Sequence, residues 1–166
     1  FIHRLKLPEK TVLVIGGSER FLSVKNALAY IKDHAQNFDL VAVHNAARPC
    51  VSAKDIDAVF AAASQNPAGA LLSLPCVNTV KRKSNNGQLQ TEDRQQLFMA
   101  LTPQVFPVKL LQQALNAKDL SAAITDDASA VERLGFSPTL VQGDSCNIKI
   151  TEPSDLALAN FYLQQR

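Results

Sequence analysis

A chain of 166 residues, 46% hydrophobic and 19% charged, is long enough to bury a core of its own and has the balance of a soluble globular domain. A formal charge of +2 falls short of the clustered basic face of a nucleic-acid binder. No apolar run nears the roughly 18 residues that a membrane helix needs and no charged-then-apolar leader opens the chain, so cytoplasmic residence is the expectation.

The first residue is Phe1 rather than Met, in a short basic segment with no evident partner element, which points to something missing upstream. Thr11-Val12-Leu13-Val14-Ile15 is apolar and β-branched on successive residues, the pattern of a strand covered on both faces. It ends in Gly16-Gly17-Ser18, after which Val24, Ala27, Leu28 and Ile31 recur at helical spacing. A second strand, Asp39 to Val43, runs into the polar crest His44-Asn45-Ala46-Ala47-Arg48-Pro49. A helix opening near Ser52 follows, with Ile56, Val59, Phe60 and Ala63 on one face. Asn66-Pro67-Ala68-Gly69 breaks it, and Ala70 to Leu74 reads as a third strand. Alternating strands and helices with short connections predict a doubly wound α/β sheet, mostly parallel.

From Val77 the pattern changes. Thr79 to Lys83 and Gln88 to Thr91 flank an Asn-Gly turn and predict a polar hairpin, an arm over about residues 77–93. Such a ribbon buries almost nothing alone and is marginal without a partner. A second copy of the chain is the economical one; a solvated surface hairpin is the alternative. A short helix is expected over Arg94 to Ala100, ending at Leu101-Thr102-Pro103-Gln104. Pro107 then starts a helix with Leu110, Leu111, Ala114 and Leu115 inward. Thr125-Asp126-Asp127 opens another, with the Thr125 hydroxyl as its cap, and Gly135 stops it. Strands are expected at Thr139 to Gln142 and Asn147 to Thr151. Pro153 begins a closing helix with Leu156, Ala159 and Leu163 inward. No repeat interrupts the chain, so one domain over 1–166 with a protruding arm is the expected organisation.

Ligands of open α/β sheets sit beyond the carboxyl ends of the strands, which makes the crest the first candidate site. Ala46 and Ala47 let backbone N–H groups approach a ligand, and Arg48 offers a forked donor set suited to phosphate; the plainer alternative is a loop whose arginine caps a neighbouring carbonyl. Gly16-Gly17-Ser18-Glu19-Arg20 with Ser23 is a glycine turn at a helix start, a place that favours phosphate, although it has neither the P-loop nor the dinucleotide-binding spacing. Lys149, between Ile148 and Ile150, is a candidate fixed charge for phosphoryl transfer, which depends on positioning and charge neutralisation. Arg94 and the hydroxyls of Thr79, Thr102 and Thr125 complete a set suited to a phosphorylated polyol. His3, His34 and His44 are scattered and read as structural or exposed. Cys50, Cys76 and Cys146 form no C-x-x-C pair and read as reduced thiols, with neither a disulfide framework nor a zinc site.

Taken together, several stretches resemble one family. Gly16-Gly17-x-x-Arg20-x-x-Ser23-Val24, Val43-His44-x-Ala46-Ala47-Arg48-Pro49, Ala100-Leu101-Thr102-Pro103-Gln104-x-Phe106, Ile124-Thr125-Asp126-Asp127-Ala128-Ser129 and Asn147-Ile148-Lys149-Ile150-Thr151-x-Pro153-x-Asp155-Leu156 are similar to the 2-C-methyl-D-erythritol 4-phosphate cytidylyltransferases of non-mevalonate isoprenoid synthesis. The resemblance implies a Rossmann-like nucleotidyltransferase fold, mostly parallel sheet flanked by helices, and a homodimer joined by the arm. It implies that the phosphate of methylerythritol phosphate attacks the α-phosphorus of CTP, with Mg²⁺, releasing pyrophosphate. Gly16, Gly17, Ser23 and Ala46 would meet the nucleotide. Arg48, Thr125 and Lys149 would face the sugar phosphate or the transferring phosphate, and Thr79 and Arg94 from the partner's arm would complete the acceptor site, with Thr102 nearby. Arg94 and Lys149 would be catalytic. The family's first strand and its glycine-rich loop, followed by an arginine and a lysine, have no counterpart in this sequence, and Asn45 stands where the family has an aspartate, so weaker metal binding at Asn45 is expected. The other expectations are a ribitol 5-phosphate-type cytidylyltransferase and an inactive homologue kept as a dimerising or ligand-binding module.

Overall fold

The computed structural model describes residues 7–34, 39–117 and 124–165. By packing, the chain falls into two units, Phe1–Asn37 and Phe38–Arg166.

In the first unit, α1 spans Arg20–His34, as its helical spacing predicts. The strand expected at Thr11 to Ile15 is absent. These residues are extended coil with no ladder partner among the described residues, and Ile15 is 88% exposed. Apolar β-branched residues favour the pleated conformation, but a strand also needs neighbours to take its N–H and C=O groups.

The second unit is built on a four-stranded sheet of β1 (Leu40–Val43), β2 (Ala70–Pro75), β5 (Phe98–Pro107) and β6 (Thr139–Gln142), in the order β1-β5-β2-β6. β1, β2 and β6 run the same way, while β5 lies antiparallel between β1 and β2. The sheet is therefore mixed. Its antiparallel member is the stretch expected to be a helix over 94–100 and a loop through 104. Only Arg94–Gln96 makes a short 3-10 turn. Pro103 cannot donate to a ladder, but bulges admit proline. It sits where the β2–β5 register shifts, between the pairs Leu71↔Gln104 and Ser73↔Ala100.

α2 (Ala53–Gln65) covers one face of the sheet, its N-terminus capped by Ser52, whose hydroxyl oxygen accepts from the Asp55 amide. Val59 and Ala63 pack there with Ala70, Leu72, Leu101 and Val105. Residues of opposite parity on the same strands, Gln104 and Phe106, are also buried. Gln104 reaches α4 (Asp127–Glu132), which packs with α3 (Val108–Leu115) as a second helical layer. α3 buries Leu110, Leu111, Ala114 and Leu115 as expected. α4 is capped by Asp126 rather than Thr125: the Asp126 carboxylate accepts from the Ser129 amide while Ser129 bonds back. Either residue type can cap, and the carboxylate one position later also receives Gln104.

α5 (Pro153–Gln164) is apolar on every side. Of the three residues expected to face inward only Ala159 is buried, and Leu156 and Leu163 are exposed. The strand expected at Asn147 to Thr151 is a loop instead. It makes one backbone–backbone bond to the crest, from the Ile150 amide to the Ala47 carbonyl at 2.8 Å, too little for a ladder. The hairpin forms as predicted, from β3 (Lys81–Lys83) and β4 (Leu89–Thr91), with Gly87 at φ +84° in its turn. Among the described residues no helix is long and apolar enough to cross a membrane.

Candidate active site

Because β1, β2 and β6 are parallel, the crest after Val43, the base of the arm after Pro75 and the loop after Gln142 all leave the sheet at one end. β5 enters from that same end. Between them lies a cavity of about 620 Å³ lined by Arg48, Leu74, Val77, Met99, Leu101, Asn147 and Lys149, among others. A second hollow of about 630 Å³ opens beside Asp39, Asn66 and Lys109, and none of the expected site residues lines it.

The crest is a tight turn, closed by the Arg48 amide donating to the Asn45 carbonyl at 2.9 Å. His44 Nε2 lies 2.9 Å from the Arg48 carbonyl oxygen and His44 Nδ1 lies 3.0 Å from Thr102 Oγ1. A carbonyl only accepts, so the neutral ring carries its hydrogen on Nε2 and Nδ1 accepts from the Thr102 hydroxyl. That hydroxyl oxygen in turn accepts from the Asn45 amide at 3.1 Å. Arg48 Nη1 donates to the Asn147 carbonyl at 2.7 Å, and Asn147 Nδ2 donates to the Thr102 carbonyl at 2.8 Å. Thr102, His44, Arg48 and Asn147 thus form a closed circuit of hydrogen bonds across three segments. The plainer reading of the arginine is correct as far as it goes: Arg48 does cap a neighbouring carbonyl.

That bond uses one of the five N–H donors a guanidinium carries. Arg48 is half-buried, and burial pulls it below the ordinary arginine value. Its Nε is buried without a hydrogen-bond partner, as is Asn147 Oδ1. A desolvated cation with unspent donors is a favourable seat for an anion. Lys149 is exposed and lines the same cavity.

The other expected residues are placed differently. Thr102 is buried and its hydroxyl is committed to Asn45 and His44. Ala46 is exposed in the turn. Thr125 is exposed just before the α4 cap, and Thr79 and Arg94 are exposed at the arm's base, where Arg94 Nη1 donates to the Val77 carbonyl; none of the three lines the cavity. Gly16, Gly17 and Ser23 belong to the first unit. There the Gly17 amide donates to Ser23 Oγ at 3.0 Å, and a side chain at Gly17 would collide with Leu22. The glycines permit a close approach to the start of α1.

Sequence reasoning did not assign Asn147 a role, read His44 only as structural or exposed, and placed Gln104 only within a motif. Asn147 was quoted beside Lys149, and the signal that could have found it was an amide among apolar neighbours. A side chain that must donate inward is the physical reason for such a residue.

Among the described residues, the crest offers no charged oxygen to a magnesium ion. Asn45 contributes at most a neutral amide oxygen, its backbone is already bonded to Thr102 and Arg48, and the charged group tied to its turn is a cation. Among the described residues no three His, Cys, Asp or Glu side chains gather to hold a metal.

The family model for 2-C-methyl-D-erythritol 4-phosphate cytidylyltransferase matches residues 1–165. A protein of that name from Haemophilus ducreyi is 49% identical over 156 residues, covering 93% of this chain and 66% of the relative. One from Haemophilus influenzae is 47% identical over 165 residues, covering 98% and 71%. The crystal structure of the Francisella tularensis protein of the same name superposes with a TM-score of 0.84 at 37% identity, covering 93% of this chain and 73% of that one. The chain therefore spans about two thirds of the length of these relatives.

Proposed function

Since the chain belongs to the 2-C-methyl-D-erythritol 4-phosphate cytidylyltransferase family, we propose that it works in cytidylyl transfer from CTP to methylerythritol phosphate. A phosphate oxygen of the acceptor attacks the α-phosphorus of CTP, the bond to the bridging oxygen breaks, and pyrophosphate leaves. The product is 4-diphosphocytidyl-2-C-methyl-D-erythritol. The observation that carries this reading is the meeting of Arg48 and Lys149 at one cavity beyond the carboxyl ends of three parallel strands. Two cations aimed from different loops suit a displacement between anions, where charge neutralisation and placement do most of the work.

In this scheme Arg48 and Lys149 hold the acceptor's phosphate and Thr125 borders it. Gly16, Gly17, Ser23 and Ala46 serve the nucleotide. Thr79 and Arg94 act on the acceptor of a second copy, to which the arm of a homodimer would carry them; the exposure of both hairpin strands and of Val77 supports this. Mg²⁺ enters as an ion carried by the nucleotide's phosphates, and cytoplasmic residence follows from charged, water-borne substrates. Asn45 favours a second reading, a homologue that binds ligand without turnover.

The test is pyrophosphate release from CTP and Mg²⁺ with methylerythritol phosphate or ribitol 5-phosphate as acceptor. It uses this chain and a version grafted with the portion of the Haemophilus ducreyi relative that it does not cover. The expected result is release by the grafted version that depends on methylerythritol phosphate. Dependence on ribitol 5-phosphate instead would move the assignment to that acceptor, and silence with both would support binding without turnover.

A further inference from the structure

We infer that Asn147 is a positioning residue that acts through Arg48, an inference that rests on the acceptor-binding reading above. Arg48 is reached from both of its ends by the hydrogen-bond circuit. His44 fixes its backbone carbonyl, and the Asn147 carbonyl fixes its guanidinium at 2.7 Å. The second contact is only as firm as the loop that presents the carbonyl. That loop lacks a ladder, and the Asn147 side chain ties it to the interior strand β5 by the bond from Nδ2 to the Thr102 carbonyl. Asn147 is 1% exposed, so this bond faces little competition from water.

The choice of an amide at this place has a cost. Asn147 Oδ1 is buried without a partner, and a buried unsatisfied acceptor opposes folding. An apolar side chain would avoid that cost but could not donate to Thr102. What the amide secures is the direction of the following carbonyl, and with it the guanidinium. Removing the side chain leaves the carbonyl and Arg48 in place chemically but frees the loop, so Arg48 samples orientations that do not meet the acceptor's phosphate.

The expected effect of Asn147→Ala in the grafted enzyme is a rise in KM for methylerythritol phosphate of about tenfold, the size of one lost buried hydrogen bond. KM for CTP should change less, within about twofold, because the circuit orients the Arg48 guanidinium, which this reading gives to the acceptor's phosphate. Combined with Arg48→Ala, Asn147→Ala should add almost nothing, since a residue acting through Arg48 has nothing left to position. Multiplication of the two effects would overturn the inference. A measurement on the 166-residue chain separates this from the reading it rests on. Slowly exchanging Arg48 guanidinium N–H signals in nuclear magnetic resonance should collapse to those of a solvated arginine in Asn147→Ala, or in Asn147→Ser if the alanine variant does not fold. Unchanged signals would overturn the inference whether or not any version turns over substrate. Collapse without turnover by the grafted enzyme would uphold it and count against the catalytic reading alone.

Discussion

The crest and the arm are both polar, both carry cations and both emerge at the same end of the sheet, yet they are held in opposite ways. The crest residues bond to partners 57 to 99 positions away in sequence, through Thr102 and Asn147. The hairpin's own bonds are local: Arg82 meets Glu92 at 2.6 Å and Lys81 meets Thr91 at 2.6 Å, each pair ten residues apart. Long-range bonds to buried partners fix a geometry before a ligand arrives, which is what charge-based recognition requires. Local bonds in water keep a shape but bury little, which suits a surface completed by another molecule. The same residue types serve preorganisation in one place and display in the other, and burial of their partners makes the difference.

Substitutions can break or sharpen that contrast. The largest effect is expected from Lys149→Ala, which should lower kcat/KM for acceptor-dependent pyrophosphate release by about 100-fold or more in the grafted enzyme. Its melting temperature should hardly move, because the side chain is exposed. Gln104→Leu attacks the scaffold behind the crest. Gln104 is 1% exposed, accepts from the Ala128 amide at 2.9 Å and donates to Asp126 at 2.7 Å, so its loss strands the α4 terminus. Urea denaturation should show a loss of about 2 kcal/mol.

A smaller, pH-dependent effect is expected from Asp155→Asn. The Asp155 carboxylate accepts from the Thr151 amide, then the Glu152 amide and the Thr151 hydroxyl, and these bonds hold it below the usual carboxylate range. A lowered folded value means that the group favours the fold above the ordinary aspartate value of about 3.9, and that this contribution is lost as pH falls through the lowered value. The variant should therefore melt earlier at neutral pH and lose part of its acid sensitivity, read from thermal melts between pH 7 and 3. Smallest of all is Arg82→Gln in the arm. Its ion pair with Glu92 is largely exposed on the arginine side, screened by water and salt, so the melting temperature of the sheet should not change. A substantial drop would show that the arm is coupled to the core and would undo the contrast.

The elements most legible in the sequence were those whose signal is local. The helix opening near Ser52, the helical stripes of α2 and α3, the Asn-Gly hairpin and the apolar run of β2 all appear where spacing and turn chemistry place them. The misread elements depended on partners far away in sequence. Val12 to Ile15 has the composition of an interior strand without a ladder to join. Phe98 to Pro107 is a strand despite Pro103, because the bulge against β2 absorbs a residue that cannot donate. Asn147 to Thr151 alternates like a strand but is held by a buried amide and by bonds to Ala47 and Arg48 of the crest. The candidate site was legible in its cations and its position beyond the strand ends. Its inner circuit was not, because nothing in the spacing of His44, Thr102 and Asn147 announces that they meet.

The most direct measurement is a calorimetric titration of methylerythritol 4-phosphate into the 166-residue chain and into Arg48→Ala at two salt concentrations. The account predicts saturable binding that weakens with salt and is lost in Arg48→Ala, as a charge-based seat at the crest requires. Binding of equal strength in both proteins would contradict it, and would place the acceptor's phosphate away from the cavity that Arg48 and Lys149 share.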